Sequence, residues 1–143
     1  STSSAASDVY KRQIYHKDLK SLMSVSDVLS VCCPASKETI NLINKDTLDC
    51  LPKGAVVTNV ARGDIVDDDA LIDCLNRRKV YAVGLDVYKG EPNLNPGYLK
   101  HKSAFILPHL GSATKQTRTD MANLAIDNME EFFKSGSCKN KVN

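Results

Sequence analysis

Four short runs of the chain are apolar at nearly every position: DVLSVCC at 27–33, AVVTNV at 55–60, VYAVGLDV at 80–87 and AFIL at 104–107. All contain β-branched or aromatic residues, and Pro34 and Pro108 follow the first and the last. Runs of this kind suit buried strands. Around them, apolar residues recur at helical spacing. DLKSLM at 18–23 places Leu19, Leu22 and Met23 on one face. Ser36, three residues before Thr39, predicts a capped helical turn through Asn41. NKDTLDCL begins at Asn44, a good N-cap, and stops before Pro52. The clearest helix is 67–79, with acidic residues leading, basic residues closing, and Ala70, Leu71, Cys74 and Leu75 on its apolar side. A long helix follows over 114–134, striped by Met121, Leu124, Ala125, Asn128, Met129 and Phe132, with Gly136 as its stop.

Strands and helices therefore alternate. The pattern predicts an α/β fold, a parallel sheet with helices on both faces. Residues 1–13, STSSAASDVYKRQ, lack periodicity and read as a disordered leader or a remnant foreign to the fold; residues 14–143 form the folded part.

In such sheets ligands bind beyond the carboxyl ends of the strands. After the first strand stand Cys33, Pro34 and, further on, Thr39. After the second stand Asn59, Val60, Ala61, Arg62 and Gly63. After the third come Asp86 and Glu91, and after the fourth His109, Gly111 and Ser112. One rim thus collects a guanidinium, two carboxylates and an imidazole, each close to a strand end. Singly, each has an ordinary alternative: a structural loop histidine, a surface ion pair for Arg62, a turn cap for Asp86. The triplet Arg62-Gly63-Asp64 resembles an integrin motif by chance, and Asp67–Asp69 reads as helix-start charge compensation, not a metal site.

Composition adds limits. The chain has 143 residues, enough for one domain with a core, and a net charge of +2 that argues for neither a nucleic-acid nor a membrane partner. The five cysteines (Cys32, Cys33, Cys50, Cys74, Cys138) show no C-x-x-C spacing and read as reduced, mostly buried thiols of a cytoplasmic protein.

AVVTNVARGDIVDDDAL, GLDVYKGEP and ILPHLGSAT, in this order and spacing, resemble the signature segments of the D-isomer-specific 2-hydroxyacid dehydrogenases, and DVLSVCCPASKETINLIN resembles the segment before them. LPHLGSAT with EPNLNP looks most like the glyoxylate/hydroxypyruvate reductase branch. The resemblance implies the second half of a Rossmann-like domain that binds NAD or NADP, and a small 2-keto acid or 2-hydroxy acid as substrate. It implies His109 as acid/base, Glu91 as the group orienting that imidazole, and Arg62 as the ligand of the substrate carboxylate and keto oxygen. Asp86 would contact the nicotinamide carboxamide. Cys33, Pro34, Val60 and Ala61 would line the nicotinamide side, with Arg62 and His109 at the ring and Gly111 and Ser112 approaching closely. The parent protein would be a homodimer.

No G-x-G-x-x-G run occurs among the seven glycines, so the family's pyrophosphate turn and the residue choosing NAD over NADP lie outside these 143 residues. The expectation is an inactive fragment of a dehydrogenase. The alternatives are a non-catalytic truncated paralogue or interaction module on the same scaffold, and an α/β domain with an incidental polar rim.

Overall fold

The computed structural model describes residues 12–142 and divides the chain into two compact units, Ser1–Ile106 and Leu107–Asn143. The leader expected over residues 1–13 lies, but for its last two positions, outside the described residues.

The first unit runs α1 (Leu19–Ser24), β1 (Val28–Val31), α2 (Lys45–Leu48), β2 (Ala55–Asn59), a 3-10 turn (Gly63–Ile65), α3 (Asp68–Asn76), β3 (Val80–Leu85), a second 3-10 turn (Tyr98–Lys100) and β4 (Ala104–Ile106). Side chains set where the helices start. Asp18 accepts the Ser21 N–H ahead of α1, Asn44 and Thr47 form a capping box on α2, and Asp67 accepts the Ala70 N–H at the head of α3. The turn expected after Ser36 does not become a helix. The Thr39 hydroxyl bonds back to the Pro34 and Ser36 carbonyls and takes the Ser36 N–H, closing tight turns that end at left-handed Asn41 (φ 51°).

All four strands are parallel, in the order β1-β2-β3-β4. This is the α/β fold with a parallel sheet that the sequence predicts; within the first unit the core lies against one face of the sheet. Burial alternates along β1 and β2. Leu29, Val31, Val57 and Asn59 are buried, while Val28 and Ser30 are exposed and Val56 and Thr58 half-exposed. The reason is handedness. Parallel crossovers are right-handed, so connections stepping in one direction across a sheet all pass over the same face. Here every step goes the same way, and α3 packs on β3 and on α2. The core on that face includes Met23, Leu48, Leu51, Ile65 and Leu71, all essentially inaccessible to solvent. Among the described residues β1 pairs with β2 alone, which leaves it an edge strand.

One polar pair lies within this core. Tyr98 donates its hydroxyl to Asp68 Oδ1 at 2.9 Å. Burial raises the Asp68 carboxyl above its ordinary 3.8, and the Tyr98 hydrogen bond pulls against that rise. A raised value means a contribution present below about pH 4 and lost as pH rises through the folded value. Tyr98→Phe removes the donor, leaves a buried acceptor short of a partner, and raises Asp68 further. We expect a loss of about 1–2 kcal/mol near neutrality, and a smaller loss in acid, in urea denaturation at a series of pH values. A gap that does not widen with pH would separate the pair from the stability of the fold.

The second unit holds α4 (Lys115–Ser135). Thr114 caps it by accepting the Thr117 N–H, and Gly136, at φ 76°, ends it with its N–H on Phe132 O. No residue of α4 is buried; Met121, Leu124, Met129 and Phe132 form an uncovered stripe. The cysteines form no disulfide, but the expectation that most are buried fails. Only Cys74, on the inner side of α3, is buried, and Cys32 is exposed where the chain leaves β1. Among the described residues no helix is long and apolar enough to cross a membrane.

Candidate active site

The carboxyl ends of β1 and β2 open onto a cleft of about 560 Å³ lined by Cys32, Cys33, Pro34, Ala35 and residues 60–62. Cys33, Pro34, Val60, Ala61 and Arg62, expected from sequence to share a site, are thus brought together. The two loops are tied by the Val60 N–H, which donates to Val31 O at 3.3 Å.

The position of Arg62 depends on Asn59. This side chain is 1% exposed, at the last inward-facing position of β2. Its Nδ2 donates to Arg62 O at 2.9 Å and its Oδ1 accepts the Ala61 N–H at 3.0 Å. Both ends of the amide are spent on the loop, so the loop is pinned across its width. The Asn59 carbonyl also accepts the Asp86 N–H at 3.0 Å, which joins the end of β3 to the same point. Arg62 itself is exposed and extended, with Nη1 donating to Ala61 O at 2.6 Å, and its guanidinium stands at the cleft wall.

Gly63 brings in the third loop. A Cβ at this position would fall on the backbone of Tyr88 and Lys89, so only glycine allows that strand of chain to lie against the arginine loop. From there the Tyr88 N–H donates to Glu91 Oε1 at 3.1 Å, which holds the glutamate back over its own loop. Arg62, Asp86 and Glu91 are therefore carried by loops bound to one another within the first unit.

His109, Gly111 and Ser112 belong to the second unit. His109 is exposed and left-handed, at φ 57°. That conformation is uncommon outside glycine, and such residues cluster at functional sites. The Ala113 N–H closes on Leu110 O at 2.9 Å, so Gly111 and Ser112 sit inside a tight turn leading into the Thr114 cap.

The sequence places Asn59 at the strand end but assigns it no role, although a signal is there: an amide closing an otherwise apolar strand, ahead of an arginine. Gly63 also stands at this strand end in the sequence, but its steric role shows only in the contact with Tyr88 and Lys89. The cleft has a small, mostly uncharged wall at two adjacent strand ends and one cation at its edge, at the end of the sheet where folds of this kind bind ligands.

The model of the D-isomer specific 2-hydroxyacid dehydrogenase NAD binding domain matches residues 1–111. The chain belongs to the D-isomer specific 2-hydroxyacid dehydrogenase family. It is 40% identical over 130 residues to a glycerate dehydrogenase of Hyphomicrobium methylovorum, covering 91% of this chain and 40% of that protein. With a hydroxypyruvate reductase of Blautia hydrogenotrophica the identity is 39% over 128 residues, covering 88% and 39%. The fold superposes, at TM-score 0.82 and 34% identity, on an NADPH-dependent glyoxylate/hydroxypyruvate reductase of Sinorhizobium meliloti solved with NADP and malonate. That match covers 90% of this chain and 40% of the other. The chain thus spans about two fifths of the length of these 2-hydroxyacid dehydrogenase relatives.

Proposed function

We propose that the chain is the second half of the dinucleotide-binding domain of a 2-hydroxyacid dehydrogenase whose parent reduces a small 2-keto acid, such as glyoxylate or hydroxypyruvate, to the D-2-hydroxy acid. The observation that carries the reading is the loop cluster in which Asn59 and Gly63 hold Arg62 at the cleft edge beside the Glu91 loop. Support comes also from the family membership and from relatives named as reductases of these acids.

The nicotinamide cofactor, NAD or NADP, supplies the hydride when bound. Cys33, Pro34, Val60 and Ala61 would hold its ring and Asp86 its carboxamide, and the family resemblance gives Gly111 and Ser112 as further cofactor contacts. Arg62 takes the substrate carboxylate and polarises the keto oxygen; a guanidinium fork matches both acceptors and carries its charge at every working pH. His109 gives a proton to that oxygen as it becomes a hydroxyl and recovers it in the reverse direction. By the family resemblance, Glu91 would be the group that orients this imidazole.

A charged hydrogen bond to substrate is worth about 1.5–3 kcal/mol. In the full-length protein that contains this chain, Arg62→Ala should therefore raise KM for glyoxylate by roughly ten- to a hundredfold and lower kcat as well. An unchanged KM would remove Arg62 from the site. The 143-residue chain alone, with no G-x-G-x-x-G turn, should show no substantial NAD(P)H-dependent glyoxylate reduction; robust turnover would overturn the fragment reading.

A further inference from the structure

A second cleft lies on the opposite rim of the sheet, at the amino ends of β2, β3 and β4. It measures about 640 Å³ and is lined by Lys53, Leu75, Arg78, Val80, Tyr81 and His101, with Gly54 and Ser103 at its edges. None of these residues takes part in the site described above. The cleft is built from tight local structure. The Gly54 N–H donates to Lys79 O at 2.8 Å, and the Ser103 carbonyl accepts the Val83 N–H at 3.0 Å. A bulge between Ala55 and Val56 lets β3 run through an extra residue, Tyr81, which stays largely exposed at the cleft wall.

Three features of this cleft are unexplained by packing. The first is Arg78. The Arg78 and Lys79 N–H groups close on Leu75 O and Cys74 O, the pattern in which glycine commonly occupies the left-handed position at the end of a helix. Here that position is an arginine at φ 55°. A strained non-glycine residue at a cleft points to a role for its side chain. The second is charge. Arg77, one residue earlier, is committed to Asp49 and Asp73 at 3.0 and 2.7 Å. Arg78 and Lys53 carry no ion pair among the described residues, so two cations face the cleft uncompensated. The third is His101, whose Nε2 is shielded from solvent without a hydrogen-bond partner. Native structures rarely leave such a nitrogen unsatisfied.

We infer that this cleft binds a small phosphomonoester, with the phosphoryl group between Lys53 and Arg78 and an apolar body on Leu75, Val80 and Tyr81. A phosphomonoester carries close to two negative charges near neutrality, matching the two cations, and it offers several acceptor oxygens. The guanidinium takes two of them, the ammonium acts as a point charge, and the His101 imidazole turns Nε2 to another. The size of the cleft is that of small-molecule sites in general. The inference does not depend on the catalytic reading, because it uses neither its residues nor its end of the sheet.

Phenyl phosphate is a suitable probe, with inorganic phosphate and neutral phenol for comparison, added to the ¹⁵N-labelled 143-residue chain. The expected result is saturable amide shifts at Gly54, Tyr81 and Ser103, with phenyl phosphate binding about tenfold or more tightly than either comparison compound. Arg78→Gly should weaken that binding by about tenfold or more without lowering the thermal midpoint, because glycine is at ease in the left-handed position. Lys53→Gln, an exposed substitution, should weaken binding independently. No saturable shift up to about 10 mM phenyl phosphate, shifts confined to residues away from the cleft, or wild-type affinity in both variants would overturn the proposal. Equal binding of inorganic phosphate would reduce it to adventitious anion attraction and overturn the specific site.

Discussion

If His109 is the general acid of a parent reductase, His109→Asn in that protein is expected to lower kcat for keto-acid reduction by roughly 10²–10⁴-fold, the usual value of a positioned general acid, while KM changes little. Asparagine is the better replacement because the backbone stands at φ 57°, which asparagine tolerates and alanine does not. An alanine variant would mix a backbone effect with the chemical one. The second readout is the pH profile. If the imidazole supplies the proton, the limb of kcat/KM that reports its titration disappears in the variant, which a merely structural histidine would not cause. Turnover within a few-fold of wild type, with the limb intact, would remove His109 from the chemistry. If Arg62 acts on substrate binding and His109 on the proton, the Arg62 variant should raise KM and the His109 variant should not.

Gly63→Ala carries the largest expected cost to the fold. The added methyl meets main-chain atoms of Tyr88 and Lys89, which cannot turn aside as a side-chain tip would. Overpacking of this kind costs about 1–3 kcal/mol and more where the neighbour is rigid, so we expect about 3 kcal/mol or above in urea denaturation. For a chain of ordinary marginal stability that is a large fraction of the whole. What survives folding should also have lost its site, since the Arg62 and Glu91 loops are forced apart and a shift of about 1 Å can cost on the order of a hundredfold in rate. Gly54→Ala is the control. Gly54 lies at φ 87° with nothing within 4 Å of its absent Cβ, so that variant reports backbone strain alone, about 1–2 kcal/mol. Equal, small losses for both would show that the contact at Gly63 relaxes and does not hold the loops together.

The parts of the molecule that were readable from sequence are those decided by neighbours in the chain. The four apolar runs became the four strands, shorter at some ends because pairing with the next strand, not hydrophobicity, sets where a strand stops. The acidic start and apolar face of α3 were legible because capping and helical spacing act within a few residues. Cys33, Pro34, Val60, Ala61 and Arg62 could be assigned to one place because adjacent parallel strands end at one rim.

The remainder depended on contacts between segments distant in sequence. Within the first unit, three right-handed steps in one direction set which face of the sheet carries the core, and no single run holds that information. Asn59 and Gly63 are ordinary letters until the Asp86–Glu91 loop is laid beside them; one then proves to be a clamp and the other a space that a methyl group would fill. The strained Arg78 likewise reads as a surface charge until the amino ends of three strands close a cleft around it. By itself the sequence determined the α/β class and the strands, because propensity and capping are local. Only the tertiary structure decided which face is covered, what holds Arg62, and that a second basic cleft exists, because burial and steric exclusion arise only between residues the chain brings together.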